Sequence, residues 1–463
     1  MNKRSRESIC SGSETQDHSS IDFFGGKSMH PRSKHTMKHD FLSLSRILPV
    51  LKKHMTLNLK WKPKMPKYLM YHFDFTHPDA VYHLSKAILK CIYNLDFYLP
   101  CGCPNGCCDS EFESELPMET PQVDCSDFVF ERYLAPCVPN RVNYIHHAAD
   151  LLKLENNSYD GYLNSVIPLN KILTGGHIVV MDIGTGANCI YPLLGTAEYS
   201  WNFIGVDIDE ESLALARKNV FLNNLEKKIT LRLQDNPISM FGGVICSYEL
   251  ICLTLSNPPF HSSIKEINQN PRTITLGKKN EIIFTQSQFS VHLLKAKYLD
   301  CLDNSENCMI RGTVKYTFSE DCMEHGELAF IEIMLLESRL YAFNVLWFTS
   351  LVAKLSTLKK IKRKIQSDMR LYNASNTVQE AFLNTKLSQL DFHAESSTMK
   401  FGHCTQDSID VSDLHVCEFR TFVLNQGKQT RWVVAWTYYN STQRSRIIEK
   451  LQNMQKNNYE TDK

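Results

Sequence analysis

A Rossmann-like α/β fold with a basic N-terminal extension and several insertions is predicted by three observations. Apolar runs ending in an acid or a small polar residue recur between residues 177 and 256. Helical stretches alternate with these runs, as in a doubly wound, mostly parallel sheet. Turns rich in glycine or proline fall where the runs end, at the edge where such sheets bind ligands.

Each element follows from its pattern. His177-Ile-Val-Val-Met-Asp reads as a buried parallel strand, and a glycine turn leads from it into a helix over Cys189 to Leu194. Trp201 to Asp207 is a second strand. A helix follows from Glu210 to Asn224, with Leu213, Ala216, Val220 and Leu225 on one face. Ile229 to Leu233 alternates as a third strand, and Leu250 to Leu255 is a fourth. Downstream, Gly326 to Arg339 reads as an amphipathic helix and Tyr341 to Val352 as a long strand. Leu355 to Ile365 is a helix with a basic face carrying Lys359, Lys360, Lys362, Arg363 and Lys364. The last predicted strand is Arg431 to Tyr439.

Composition narrows the class. With 463 residues, 43% hydrophobic and 22% charged, the chain is globular, not disordered or fibrous. A formal net charge of +1 excludes a uniformly basic nucleic-acid binder. That sum conceals a polarity, because Lys27 to His72 holds eleven Lys/Arg residues against one acid, Asp40, with Trp61, Tyr68 and Tyr71 interleaved. Such an arm suits a polyanion, and a solvated, poorly ordered extension is the alternative. No apolar core of a signal peptide follows Met1, and no apolar stretch is long enough to span a bilayer. Reduced thiols and an intracellular, membrane-free protein are therefore expected. Cys101, Cys103, Cys107 and Cys108 lack the paired spacing of ordinary zinc modules, and no metal is expected.

The expected organisation is a disordered tail (1–26), a basic arm suited to a polyanion (27–72), the α/β domain (73–440) and a polar tail (441–463). Insertions are expected near 101–132, 265–320 and 370–415.

Two motifs carry chemistry. In Asp182-Ile-Gly184-Thr-Gly186-Ala-Asn188 the glycines let the backbone approach a ligand at a helix N-terminus. Asp207 ends the next strand, where a carboxylate can accept ribose hydroxyls. The third glycine of a dinucleotide fingerprint is absent after Gly186-Ala-Asn188, so a compact adenosine ligand, S-adenosyl-L-methionine, fits better than a pyrophosphate. The second motif is Asn257-Pro258-Pro259-Phe260. A base-conjugated amine is a poor nucleophile, and two acceptors on its hydrogens free the lone pair for a methyl group. The Asn257 carboxamide and the Pro258 carbonyl supply such acceptors, Pro259 adds rigidity and Phe260 can stack on a flipped base. A proline loop with a core phenylalanine is the plainer reading.

Several segments resemble one family. They are Lys27-Ser-Met-His-Pro-Arg, Pro139-Asn-Arg-Val-Asn-Tyr-Ile-His, Asp182 through Gly195, Ser256-Asn-Pro-Pro-Phe-His, Gly326-Glu-Leu-Ala-Phe, Trp347-Phe-Thr-Ser-Leu-Val and Gln429-Thr-Arg-Trp-Val-Val-Ala-Trp. This family joins methyltransferase-like protein 16 of eukaryotes, which methylates U6 small nuclear RNA, to the bacterial 23S rRNA adenine-N6 methyltransferase. The resemblance runs in order from about Lys27 to Asn440. It implies that Arg141 holds the cofactor carboxylate, that Gly184 and Asn188 line the methionine region and that Asp207 meets the ribose. It also places Asn236 near the adenine edge, and Arg32 and Lys34 against RNA. The extra C-terminal RNA-binding regions of the eukaryotic member are not expected here, and the Trp347 segment is more similar to the bacterial enzyme.

The expectation is a monomeric, S-adenosylmethionine-dependent methyltransferase forming N6-methyladenosine in a structured RNA, with U6 small nuclear RNA favoured and a nuclear, alternatively cytoplasmic, location. Large-subunit rRNA is the alternative substrate. Methylation of a glutamine amide, and an RNA-binding protein in which methylation is secondary, are the competing classes.

Overall fold

The computed structural model describes residues 29–75, 78–100, 133, 135–153, 172–236, 239–259, 326–374, 376–393, 398–402, 409–426 and 429–461. The N-terminal part comprises α1 (Phe41–Ile47), the hairpin strands β1 (Met55–Leu57) and β2 (Tyr71–Phe73), α2 (Pro78–Tyr93) and α3 (Val138–Ala149). The α/β body follows with β3 (Val179–Ile183), α4 (Ile190–Tyr199), β4 (Asn202–Asp207), α5 (Glu210–Leu222), β5 (Ile229–Leu233) and β6 (Ile251–Ser256). Then come α6 (Glu327–Glu337), β7 (Val345–Val352), α7 (Leu355–Ala374) and α8 (Thr377–Ser388). The chain closes with β8 (Leu390–His393), β9 (Thr398–Phe401), β10 (Glu418–Gln426), β11 (Gln429–Thr437) and α9 (Ser441–Thr461).

Seven strands form the central sheet in the order β10-β11-β7-β6-β3-β4-β5. Neighbours from β7 to β5 are parallel, and only β11 runs against its neighbours. Strand order departs from β3 in both directions, so the carboxyl ends of β3, β4 and β6 lie side by side at the switch point. In register, Asp182 faces Gly205 on one side and Leu255 on the other. β6 and β7 are buried at every position, which is why they read as continuous apolar runs.

The basic arm expected over 27–72 holds folded elements in its described residues. From Met29 onward it is folded, and the expected boundary at 72 cuts through β2. Asp40 caps α1 by accepting from the Leu42 amide. Phe41 stacks on Phe73 at 4.9 Å between ring centres, and Leu44 and Leu51 are buried in the common core. The positive charge is a surface property laid over a real apolar interior.

Four further expectations change in detail. The polar tail is α9, which buries Ile447, Ile448, Leu451 and Met454. The insertion near 370–415 contains the end of α7, all of α8 and the hairpin β8–β9. The predicted amphipathic helix, α6, is buried on most of its surface, including Glu327, Glu332 and Glu337. The strand predicted from Tyr341 begins at Val345, after a 3-10 turn over Ser338–Tyr341. The insertions at 101–132 and 265–320, with Cys101, Cys103, Cys107 and Cys108, lie outside the described residues. Among the described residues, no helix is long and apolar enough to cross a membrane.

Candidate active site

The glycine turn after β3 is pinned to β4. Gly184 and Thr185 both donate their backbone N–H to the Val206 carbonyl, at 2.8 and 2.9 Å. Gly184 and Gly186 hold φ values of 73° and 64°, and nothing lies within 4 Å of where a Cβ would stand on either. The turn therefore presents bare backbone to open space. Asn188 caps the start of α4, its side-chain oxygen accepting from the Ile190 amide at 3.3 Å.

Asp182, at the end of β3, is fully buried. Both oxygens of its carboxyl lack a hydrogen-bond partner among the described residues. Burial pushes this carboxyl up to about 7, against the pull of the Thr185 hydroxyl and the Arg141 guanidinium; the Asp207 carboxyl adds to the push. An acid so placed wants a donor or a cation. Asp207 is differently engaged: one oxygen accepts from the Gly186 amide at 2.8 Å and the other from the Asp209 amide at 3.1 Å.

Arg141 reaches the same edge from α3. Its guanidinium donates to the Tyr191 hydroxyl at 2.9 Å and lies 5.6 Å from the centre of that ring. One turn on, Tyr144 packs edge-on to the same ring at 5.5 Å. Asn257 follows β6 directly, and its side-chain oxygen is buried with no hydrogen-bond partner among the described residues. Pro258 is buried and Pro259 is half-buried. Phe260 lies outside the described residues.

The structure thus brings Arg141, Asp182, Gly184, Gly186, Asn188, Asp207, Asn257 and Pro258 to one sheet edge. Asn236 is exposed after β5, and its backbone N–H donates to the Gln234 side chain at 3.0 Å. Gln234 is itself buried, donating to the Gly242 carbonyl and accepting from Asn236. The residues fit S-adenosyl-L-methionine: open space over two glycines, an unpartnered buried acid, and a guanidinium for a carboxylate.

Arg32 is placed unlike a nucleic-acid contact. Its side chain is 9% exposed, pairs with Asp150 at 2.6 Å and donates to the His146 carbonyl at 2.8 Å. Lys34 is about half-exposed, pairs with Glu198 at 2.5 Å and sits 5.0 Å above the Tyr93 ring. His30, His147 and Asp150 bring potential ligand atoms within 4.8 Å of one another. The Arg32 amide donates to His30 Nδ1, however, so His30 Nε2 carries the proton and donates to Asp150. That tautomer closes an ion-pair network rather than opening a metal site.

Sequence reasoning missed Tyr144, Tyr191, Thr349 and Glu337. The first three stand inside the family-like motifs, with Tyr144 three residues after Arg141, a spacing that shares a helix face. Glu337 is buried and clasps the loop after β5, accepting from the Met240 and Gly242 amides at 2.6 and 2.9 Å and from the Ser239 hydroxyl. No local signal marks it, because its partners lie almost a hundred residues away.

A sequence profile of a family described as RNA methyltransferase matches residues 25–105 and 120–376. The chain belongs to that RNA methyltransferase family. Ribosomal RNA large subunit methyltransferase F of Pseudomonas putida (strain W619) is 32% identical over 340 residues, covering 73% of this chain and 84% of the relative. The enzyme of the same name from Bacteroides fragilis (strain YCH46) is 33% identical over 340 residues, covering 73% and 90%. In fold, the chain is similar to the hMettl16 catalytic domain crystallised in complex with MAT2A 3'UTR hairpin 1. That likeness has a TM-score of 0.52 at 20% identity, over 90% of this chain and 97% of the other. The family membership agrees with the Rossmann-like methyltransferase fold expected from the alternating elements.

Proposed function

We propose that this chain transfers a methyl group from S-adenosyl-L-methionine to the N6 amine of an adenosine in a structured RNA. One observation carries the reading: among the described residues, the Asn257 side-chain oxygen is buried and unpartnered at the strand end beside the Asp182–Gly186 cradle. An acceptor held there is matched by an amine with two hydrogens to give.

Arg141, Asp182, Gly184, Gly186, Asn188 and Asp207 would hold the cofactor, with Asn236 at the adenine end. The bound cofactor supplies an electrophilic methyl group on a sulfonium. Asn257 Oδ1 and the Pro258 carbonyl accept the two amine hydrogens and turn the nitrogen lone pair toward that methyl group. The prolines limit the freedom of the acceptor carbonyl, and Phe260 is assigned the base-stacking role. The amine then gives up one proton to water.

The RNA would lie along basic surface. The loop between β1 and β2 exposes Lys60, Lys62, Lys64 and Lys67 beside Leu59, which is 92% exposed. The loop is held in shape by Asn58, whose side chain donates to the Leu69 carbonyl, and by the Trp61 indole, which donates to the Pro66 carbonyl. Lys359, Lys362, Arg363 and Arg370 are exposed on α7, whose lone acid, Asp368, is buried against Arg339.

Large-subunit rRNA is the favoured target, since the relatives at 32–33% identity carry that substrate in their names. U6 small nuclear RNA is the second reading, resting on the motif resemblance, and the nucleus would follow from it. The protein is read as a monomer. Incubation with labelled cofactor and either total RNA or deproteinised rRNA, followed by nucleoside analysis, tests the reading. Labelled N6-methyladenosine that is lost in Asn257→Ala supports it. Label that resists ribonuclease would point to a protein amide, and label of equal yield in Asn257→Ala would end the proposed mechanism.

A further inference from the structure

Asn257 can only work if its turn is held still, and the residue that holds it is not in the turn. Tyr144 stands on α3, fully buried, with its hydroxyl between β6 and β7. It accepts from the Ser256 amide at 3.3 Å and lies 2.7 Å from the Thr349 hydroxyl. Thr349 in turn donates its hydroxyl to the Thr254 carbonyl at 2.5 Å, and its amide donates to the Thr254 hydroxyl at 3.0 Å.

These hydrogen bonds fix the hydroxyl protons of Thr349 and Tyr144. Thr349 spends its hydroxyl hydrogen on Thr254, so it can only accept from Tyr144. Tyr144 then spends its own hydrogen on Thr349 and keeps lone pairs for the Ser256 amide. The result is a closed relay from Thr254 through Thr349 and Tyr144 to the residue that immediately precedes Asn257. Because Arg141 is one turn earlier on α3 and shares Tyr191 with Tyr144, the same helix addresses the cofactor end and the acceptor end of the edge.

The geometry points to Tyr144 as a positioning residue for methyl transfer: its hydroxyl, oriented by Thr349, anchors the Ser256 amide and thereby sets Asn257 Oδ1 and the Pro258 carbonyl. This rests on the reading of Asn257 as the amine acceptor. Tyr144 touches no reacting atom. Its loss should therefore lower turnover while leaving cofactor capture, which belongs to Arg141 and the glycine turn, largely intact.

The test compares Tyr144→Phe, Thr349→Val, Thr349→Ser and Asn257→Ala in the full chain, with RNA methylation rate, cofactor affinity by calorimetry and thermal midpoint measured for each. Tyr144→Phe should lose about tenfold in kcat, the worth of one oriented hydrogen bond, with cofactor Kd changed less than about twofold. Thr349→Val should match it, Thr349→Ser should restore the rate, and the double variant Tyr144→Phe/Thr349→Val should fall no lower than either single one. Wild-type kcat in Tyr144→Phe, alongside an inactive Asn257→Ala, would overturn the positioning role alone. A Tyr144→Phe enzyme that loses rate only in proportion to cofactor affinity or folded fraction would overturn it as well. An active Asn257→Ala would instead overturn the reading beneath it.

Discussion

The carboxylate of Asp207 accepts a hydrogen bond from the backbone N–H of Gly186 at 2.8 Å, twenty-one residues earlier in the chain. A residue expected for ribose binding is thus also the clamp of the glycine turn. The expected role and the observed one fall on one side chain because β3 and β4 are adjacent and parallel, with Ile183 beside Val206.

Replacing Asp207 should therefore harm the site twice. Asp207→Ala removes the acceptor of the Gly186 amide and is expected to cost about 1.5–3 kcal/mol, the range for a hydrogen bond to a charged group. Cofactor affinity by calorimetry should fall by about tenfold or more, while Asp207→Asn, which keeps one acceptor oxygen, should fall less. Equal losses in the two variants would leave only the charge, and not the clamp, at work.

The Asp182 carboxyl gives the apo protein a pH signature. Its ordinary value is 3.8 and burial raises it to about 7 in the folded chain. Between these values the folded state keeps a proton that the unfolded state has lost, so this group's contribution falls as pH rises through that window and levels off above about 7. Asp182→Asn should remove that slope. Denaturant midpoints at pH 5 and pH 8 for wild type and variant would show the difference, and parallel curves would assign the slope elsewhere. Cofactor binding at neutral pH should release protons if its ammonium group draws Asp182 into the charged form.

Arg32 and Lys34 should separate cleanly. Arg32 pairs with Asp150 inside the fold, and stripping one partner from a buried pair costs about 3–5 kcal/mol. Arg32→Ala is thus expected to lower the thermal midpoint by several degrees. Lys34, with its side chain 47% exposed, should change the midpoint little. If Arg32→Ala kept its stability and lost only RNA affinity, the side chain would have to leave Asp150 to meet RNA.

The loop between β1 and β2 should grip RNA without serving the cofactor. Changing Lys60, Lys62, Lys64 and Lys67 to Ala together is expected to flatten the salt dependence of RNA binding. The log–log slope should drop by about one unit for each phosphate that the loop no longer neutralises. Trp61→Ala should weaken binding to single-stranded more than to duplex RNA, by about 1–3 kcal/mol if a base stacks there. Filter binding over a salt series reads both, and an unchanged slope would remove the loop from the interface.

The acid environment should act first on the N-terminal part. Burial lowers His35 to about 3 and His146 to about 2. The unfolded chain binds protons at these sites below about pH 6.5 while the folded chain does not, so stability falls as pH drops through that range. Hydrogen exchange at pH 5 should show residues 29–57 opening before β3, and uniform protection would contradict this.

Local pattern alone determined the α/β sheet, the glycine turn at Asp182–Asn188 and the Asn257-Pro258 turn. Strand hydrophobicity and turn chemistry are written in neighbouring residues, so they are legible in one dimension. The heptad-like apolar positions Ile447, Ile448 and Leu451 of α9 were equally local, but they were masked by the polar residues around them. What tertiary structure decided are the roles that depend on distant partners. Arg32 reads as a free cation until Asp150, 118 residues on, neutralises it. Phe41, Leu44 and Leu51 look like stray apolar residues in a basic arm until Phe73 and α2 cover them. Tyr144 is an ordinary core tyrosine until Thr349, 205 residues away, orients its hydroxyl toward Ser256. A charge or a hydroxyl carries no mark of its partner in sequence, because the partner is chosen by the packing of elements and not by the chain on either side.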